Sequence, residues 1–211
     1  MRGEEKRIIK NIVFDLGNVL LEFKPIEYLK DKEFEEDKIK ELYEEIFLSK
    51  EWPMLDRGVI TEEEVINILC ERSRNADLIR KAMDNWYEIL KPIKESIDIL
   101  KELKEAGYGL YIISNFHHLA YENVTKRFEF FNYFDGGVIS YEEKLLKPED
   151  EIYRKLLQKY NIKAEESVFI DDTLVNIEKS RELGFLGIHF DNPNNLRKKL
   201  IDLGVLKNIL Y

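Results

Sequence analysis

Cysteine is almost absent from this chain, which has one, Cys70, among 211 residues. A single cysteine excludes an internal disulfide framework and is typical of proteins of a reducing compartment. Long apolar runs are missing as well, since no stretch reaches the roughly 18 residues that a transmembrane helix needs. The polar first seven residues are not followed by the apolar segment of a secretory signal. We therefore expect a cytoplasmic protein without a membrane partner.

Positively charged residues are outnumbered by negatively charged ones. Lysine and arginine number 33 against 42 aspartate and glutamate residues, which gives a formal net charge of −9. This balance argues against a nucleic-acid partner, because binding to a phosphate backbone needs a basic surface. An anionic small molecule is still compatible, since local lysines and a metal ion can reverse the field inside a pocket. The sequence does not specify an oligomeric state, and we expect a monomer.

Apolar strand-like segments alternate with helical segments over most of the chain. An amphipathic helix follows Pro92, and Pro148 is predicted to open another helix at its first turn. The predicted strands cover residues 8–14, 108–113, 137–140, 167–170 and 185–190. This alternation predicts an α/β fold built on a doubly wound parallel sheet.

Residues 24–91 interrupt the alternation with several consecutive helical segments. One of these helices begins at Thr61, which forms a predicted capping box with Glu64. A crossover between parallel strands needs only one helix, so the segment is longer than a connection requires. We therefore predict an α/β core made of residues 1–23 and 92–211, with residues 24–91 as an inserted helical domain.

Carboxylates follow two of the predicted strands. Asp15 ends the first apolar run and precedes the turn-forming pair Gly17 and Asn18, while Asp171 and Asp172 follow residues 167–170. Ligands of parallel α/β sheets bind at the carboxyl ends of the strands. Carboxylates buried there are costly unless a cation or a substrate binds them. Asp15 is therefore predicted to bind a metal, to attack an electrophile, or to do both.

Four separated pieces of sequence together resemble the haloacid dehalogenase superfamily of hydrolases, most of whose members are phosphatases. They are Asp15, Ser114-Asn115, Lys147-Pro148 and Asp171-Asp172. The sequence DLGNV at residues 15–19 is similar to that of sugar-phosphate phosphatases of this superfamily. The resemblance implies a Rossmann-like core, with residues 24–91 as a cap domain.

The resemblance also implies site residues. Asp15 would be the nucleophile that forms an aspartyl-phosphate, and Lys147 would stabilise the transition state. The phosphate of a small phosphorylated metabolite would be bound by Ser114, Asn115 and Lys147. The implied cofactor is Mg²⁺, which prefers hard oxygen ligands. Its ligands would be Asp15, the backbone carbonyl of Gly17, Asp171 and Asp172.

Gly17 departs from the family pattern. Most phosphatases of the superfamily have a second aspartate there, two residues after the nucleophile, as general acid and base. Such a group is typically worth about 10²–10⁴-fold in rate. Without this group, turnover should favour phosphates with good leaving groups, unless His117 or His118 partly takes over the proton transfer.

Other functions and the substrate stay open. A carbon–halogen hydrolase of the same superfamily also lacks the second acid, but it needs no metal. A catalytically silent phosphate-binding protein would keep the site without turnover, and a phosphate-transferring mutase usually needs the missing acid. The substrate would be selected by surface residues of the cap, for which the candidates are Trp52, Asp56, Arg57 and Trp86.

Overall fold

The computed structural model describes residues 7–207, so the predicted core boundaries at residues 1 and 211 lie outside the described part. Its strands are β1 (Asn11–Phe14), β2 (Leu21–Glu22), β3 (Lys91–Pro92), β4 (Gly109–Ser114), β5 (Gly136–Ile139), β6 (Ser167–Asp171) and β7 (Leu186–His189). Five of them form a parallel sheet in the order β5-β4-β1-β6-β7. The predicted parallel sheet is confirmed.

Helices cover both faces of this sheet. The α-helices are α1 (Pro25–Asp31), α2 (Glu36–Leu42), α3 (Trp52–Asp56), α4 (Glu62–Arg72), α5 (Ala76–Met83), α6 (Lys94–Glu105), α7 (His118–Arg127), α8 (Ser140–Glu143), α9 (Asp150–Tyr160), α10 (Leu174–Glu182) and α11 (Pro193–Asp202). A π-helical turn at Tyr43–Phe47 extends α2, and 3₁₀ turns cover Trp86–Ile89, Glu129–Tyr133 and Ala164–Glu166. No helix within residues 7–207 has the length and apolar character needed to cross a membrane.

Alternate residues of β1 enter two different hydrophobic clusters. Ile12 and Phe14 pack on the face that α6 and α11 cover, whereas Val13 packs with residues of α9 and α10. Successive side chains of a strand point to opposite faces, so both faces are buried here. This explains why the strand sequences are continuously apolar.

The helical insert, residues 25–89, lies between β2 and β3. These two strands pair antiparallel, with Leu21 opposite Pro92 and Glu22 opposite Lys91. The two connections to the insert therefore run side by side. The predicted capping box is present, because Glu64 N donates to Thr61 Oγ1 at 3.2 Å and Thr61 N donates to Glu64 Oε2 at 2.8 Å.

Several predicted boundaries are displaced by one residue, and two are wrong by two residues or more. β1 begins at Asn11 rather than residue 8, because its parallel partners begin at Gly109 and Ser167, and Ile8 is 73% exposed. Helix α9 begins at Asp150, so Pro148 precedes it instead of occupying its first turn. A local apolar pattern cannot show where neighbouring strands stop pairing.

Candidate active site

Asp15, Ser114 and Asp171 lie together at the carboxyl ends of three adjacent strands. Phe14 is opposite Ile112 and Ile170 in the sheet, so the chain leaves β1 directly between β4 and β6. The hydroxyl of Ser114 donates to Asp15 Oδ1 at 2.7 Å. All three side chains are buried. The prediction that strand ends bring these residues together is thus supported by direct contact.

Lys147 joins two of these strand ends. Its Nζ lies 2.8 Å from Asp15 Oδ1 and 2.6 Å from Asp171 Oδ2, and the side chain is only 2% exposed. Burial disfavours the charged ammonium, but Asp15 and Asp171 raise the pKa of Lys147 above its ordinary value. The lysine is therefore a buried cation, and not a solvated surface residue.

Backbone and amide donors fix the two carboxylates. Leu16 N donates to Asp15 Oδ1 at 2.7 Å. Thr173 N donates to Asp171 Oδ1 at 2.7 Å, and Asn176 Nδ2 lies 3.1 Å from both oxygens of Asp171. Such donors stabilise the ionised form of a carboxylate and hold it in one orientation. Asn176 was not predicted as part of the site.

Asp15, Asp171 and Asp172 form an acidic cluster in which one oxygen atom of each lies within 4.8 Å of the others. Lys147 balances only part of this negative charge. Burial, opposed by Lys147, raises the pKa of Asp15 to about 7, with Asp171 and Asp172 adding to the increase. Three carboxylates sharing one ammonium are a donor set that fits a hard divalent cation. The chemistry of the cluster therefore agrees with the predicted Mg²⁺ ligands.

Asp172 is oriented by a turn residue that was not predicted to act. Asn18 Nδ2 donates to Asp172 Oδ2 at 3.2 Å. Asn18 has a φ of 53°, a left-handed conformation that asparagine tolerates better than most residues. The signal in the sequence is the Gly17-Asn18 turn directly after Asp15.

The side-chain amide of Asn115 forms hydrogen bonds with both the backbone N–H and the backbone carbonyl of Lys147. Lys147 N donates to Asn115 Oδ1 at 2.8 Å, and Asn115 Nδ2 donates to the Lys147 carbonyl at 3.1 Å. This pair of hydrogen bonds holds the loop that carries the lysine. In this structure Asn115 positions Lys147, while its predicted contact with phosphate stays a prediction.

A cavity of about 180 Å³ lies beside Gly17, between the insert and the core. We call it the acceptor chamber. It is lined by Gly17, Phe23, Trp52, Asp56, Leu90, Asn115 and Phe116. Asp56 and Trp52, two of the predicted candidates for substrate selection, thus face a space next to the site.

The other two candidates do not line the acceptor chamber. Trp86 is 2% exposed, so its predicted place on the cap surface is wrong. Arg57 Nη1 donates to the Lys144 carbonyl at 3.0 Å and to Glu149 Oε2 at 3.1 Å, and Nη2 binds the second oxygen of Glu149. Arg57 therefore ties the insert to the loop beside Lys147.

Neither His117 nor His118 is suited to replace the general acid and base that is missing at Gly17. His117 is buried against the ring of Trp86, 4.8 Å between centroids, and burial lowers its pKa to about 3. It is therefore neutral at physiological pH and a weak base. His118 is exposed, and its Nε2 lies 3.3 Å from Glu122 Oε1 on the surface of α7.

Comparison with known proteins identifies the family. A family model described as haloacid dehalogenase-like hydrolase matches residues 9–184. The chain is 27% identical to the sesquiterpene phosphatase astK of Aspergillus oryzae, over 85% of this chain and 89% of that protein. It is 24% identical to an (S)-2-haloacid dehalogenase of Pseudomonas putida, over 84% and 82% of the two chains.

Solved structures agree with this assignment. A haloacid dehalogenase (HAD) family enzyme of Bacteroides thetaiotaomicron, in complex with magnesium and inorganic phosphate, superposes with a TM-score of 0.69. The two chains are 28% identical, and the match covers 89% of this chain and 98% of the other. This chain belongs to the haloacid dehalogenase-like hydrolases.

Proposed function

We propose that this hydrolase is a magnesium-dependent phosphatase of small phosphorylated metabolites, which works through an aspartyl-phosphate on Asp15. The observation that carries the proposal is the contact of one buried lysine, Lys147, with both Asp15 and Asp171. A buried cation beside a strand-end carboxylate is what an enzyme needs to bind a dianionic phosphate next to a nucleophile. A phosphatase relative and a magnesium–phosphate complex of a structural neighbour support it.

Each contacting residue has a defined task in this reaction. Asp15 attacks phosphorus, and the bond from phosphorus to the ester oxygen breaks as the aspartyl-phosphate forms. The Ser114 hydroxyl and the Lys147 ammonium, which now contact Asp15, bind the phosphoryl oxygens. Water then attacks the phosphorus, which frees Asp15 and releases phosphate. Asn115 keeps Lys147 in position during both the formation and the hydrolysis of the aspartyl-phosphate.

Mg²⁺ would be held by Asp15, Asp171, Asp172 and the carbonyl of Gly17. When bound, it would supply positive charge to the phosphoryl oxygens. The hydrogen bonds from Asn18 and Asn176 keep two of these carboxylates in fixed orientations, so the ligands are arranged before the ion arrives.

The insert would act as the cap that selects the substrate, and sugar phosphates are the class that the DLGNV sequence favours. The acceptor chamber supports this role, because residues of the insert and of the core both line it. A chamber of about 180 Å³ suits a small leaving group. The single cysteine supports a cytoplasmic place of action.

One experiment separates this function from its rivals. Purified protein would be incubated with a panel of sugar phosphates and with 2-chloropropionate, with magnesium or with excess chelator. We expect phosphate release that chelation abolishes and that Asp15→Asn reduces to background. Chloride release that survives chelation would instead indicate a carbon–halogen hydrolase. Phosphate binding in calorimetry without any turnover would indicate a silent binding protein.

A further inference from the structure

Gly17 leaves open space beside the nucleophile. A Cβ atom built at Gly17 has no heavy atom within 4 Å, apart from its chain neighbours. The position is therefore not filled by another side chain of the core. Phosphate ester hydrolysis still requires two proton transfers, one to the departing alcohol and one from the attacking water. A side chain that carries protons into this space would have to come from another part of the chain.

Asp56, the last residue of α3, faces the same chamber from the insert. Within residues 7–207, its carboxylate forms neither a hydrogen bond nor an ion pair. The rings of Phe23, Trp52 and Phe116 make most of the chamber lining apolar. Asp56 is half-buried, and among the described residues its carboxylate has no partner that would give it a structural role. A free carboxylate at the chamber that also borders Gly17 points to a role in the reaction.

Core residues hold the backbone around Asp56 in place. The Ser140 hydroxyl donates to the Asp56 carbonyl, and the Lys144 ammonium donates to the Gly58 carbonyl. Gly58 has a φ of 69°, and a Cβ there would lie 2.5 Å from the carbonyl oxygen of Tyr141. The loop after α3 thus needs glycine to approach the core this closely. The insert delivers Asp56 to a fixed place at the chamber.

We propose that Asp56 is the general acid and base of this enzyme, entering from the insert in place of the side chain that Gly17 lacks. This inference rests on the proposed phosphatase function. As Asp15 binds phosphorus, the Asp56 carboxylic acid gives its proton to the ester oxygen, and the alcohol leaves. The resulting carboxylate then takes a proton from the water that attacks the aspartyl-phosphate. Phosphate leaves, and both aspartates return to their starting states.

The electrostatic surroundings of Asp56 agree with this role. Burial, and then the nearby charge of Asp15, raise the pKa of Asp56 to about 7, while Lys147 opposes the increase. Both protonation states are therefore accessible near neutral pH, as a group that alternates between acid and base requires.

The test compares leaving groups. The magnesium-loaded enzyme and its Asp56→Asn variant would be assayed with 4-nitrophenyl phosphate, whose leaving group needs no proton, and with alkyl phosphates, whose leaving group does. We expect kcat/KM of the variant to fall about 10²–10⁴-fold for alkyl esters, and much less for the nitrophenyl ester. Asp77→Asn, an exposed aspartate of the insert, is the matched control and should leave both values unchanged.

A rescue variant keeps the test decisive if Asp56→Asn disturbs the fold. Adding Gly17→Asp to Asp56→Asn places a carboxyl group at the open position and should restore much of the alkyl ester activity. Inorganic phosphate binding, measured by calorimetry, should be similar in all folded variants. An equal loss for both ester classes, or no loss, would overturn the role of Asp56 while leaving the phosphatase function intact. A wild type without phosphatase turnover would overturn both.

Discussion

Lys147 and Asp171 form an ion pair in which neither side chain is more than 2% exposed, with 2.6 Å between Nζ and Oδ2. Both groups have lost their hydration, and each compensates the charge of the other. Removing one partner of such a pair leaves an uncompensated buried charge, which typically costs about 3–5 kcal/mol. The same lysine also contacts Asp15, so its removal leaves two buried carboxylates without their cation.

We predict that Lys147→Met lowers the free energy of unfolding by roughly 3–5 kcal/mol and abolishes turnover. Magnesium should recover more stability in this variant than in the wild type, because the ion then replaces the positive charge that the cluster has lost. Urea unfolding with and without magnesium measures both effects. Lys10→Met, which breaks an exposed pair with Glu166, is the control and should cost under about 1 kcal/mol. An equal magnesium increment in wild type and Lys147→Met would contradict the prediction.

The sequence predicts the core of the site because one general rule places it. Carboxyl ends of parallel strands meet at one edge of a sheet, so Asp15, Ser114 and Asp171 are expected to lie near one another once the strands are recognised. The residues that hydrogen-bond to these side chains and orient them are harder to predict. Asn176 lies in an ordinary helical pattern, and only its contact with Asp171 shows that it belongs to the site.

Asp56 shows where prediction from one sequence stops. The sequence marks it only as a polar candidate in a helical insert. Its access to the chamber depends on where the insert docks, and Ser140 and Glu149 determine this from far along the chain. Gly58 is the local signal, since a glycine after Asp56-Arg57 permits the close approach to Tyr141. Such long-range contacts leave no periodic pattern in the sequence.

Arg57 and Glu149 offer a test of docking between insert and core. Arg57→Met should reduce kcat/KM several-fold, mainly through KM, because the insert, which lines the acceptor chamber, loses a fixed contact with the core. Its effect on unfolding should stay under about 1 kcal/mol, as both side chains are about one-third exposed.

Arg197→Met is the matched control for loss of the Arg57–Glu149 ion pair. Arg197 and Glu102 form an equally exposed bidentate pair between α11 and α6, neither of which carries a predicted site residue. Steady-state kinetics should show no change in KM for this variant. The docking interpretation fails if the two arginine variants alter KM equally.

His117 makes stability depend on pH. Its pKa in the folded protein is about 3, against an ordinary value of 6.5, so below pH 6.5 the unfolded chain binds a proton that the folded protein does not. The contribution of His117 to the free energy of unfolding should therefore fall as pH decreases from about 6.5 towards 3. One such proton contributes about 1.4 kcal/mol per pH unit.

Replacing His117 should remove this contribution. We expect the difference in unfolding free energy between wild type and His117→Gln to shift in favour of the variant as pH falls from 6.5 to 4.5. Chemical denaturation at several pH values measures this difference, and other titrating groups cancel in it. His118→Gln changes an exposed neighbour and should track the wild type. Parallel stability curves for His117→Gln and wild type would show that folding does not lower the pKa of His117.

Trp52 is the largest residue that lines the acceptor chamber. Its ring lines the chamber and packs against Phe47 and Trp86, with centroid distances of 4.9 and 5.0 Å. Trp52→Phe keeps an aromatic contact but removes one ring, so the space for a leaving group grows. We expect kcat/KM for bulkier phosphate esters to rise about tenfold relative to small ones, since a few carbon atoms in an apolar pocket are worth about 1–3 kcal/mol. Trp86→Phe removes the same ring from a buried residue that does not line the chamber, so this ratio should stay unchanged. If the ratio of kcat/KM for bulky over small esters changes equally in both variants, or in neither, the leaving group binds outside the chamber.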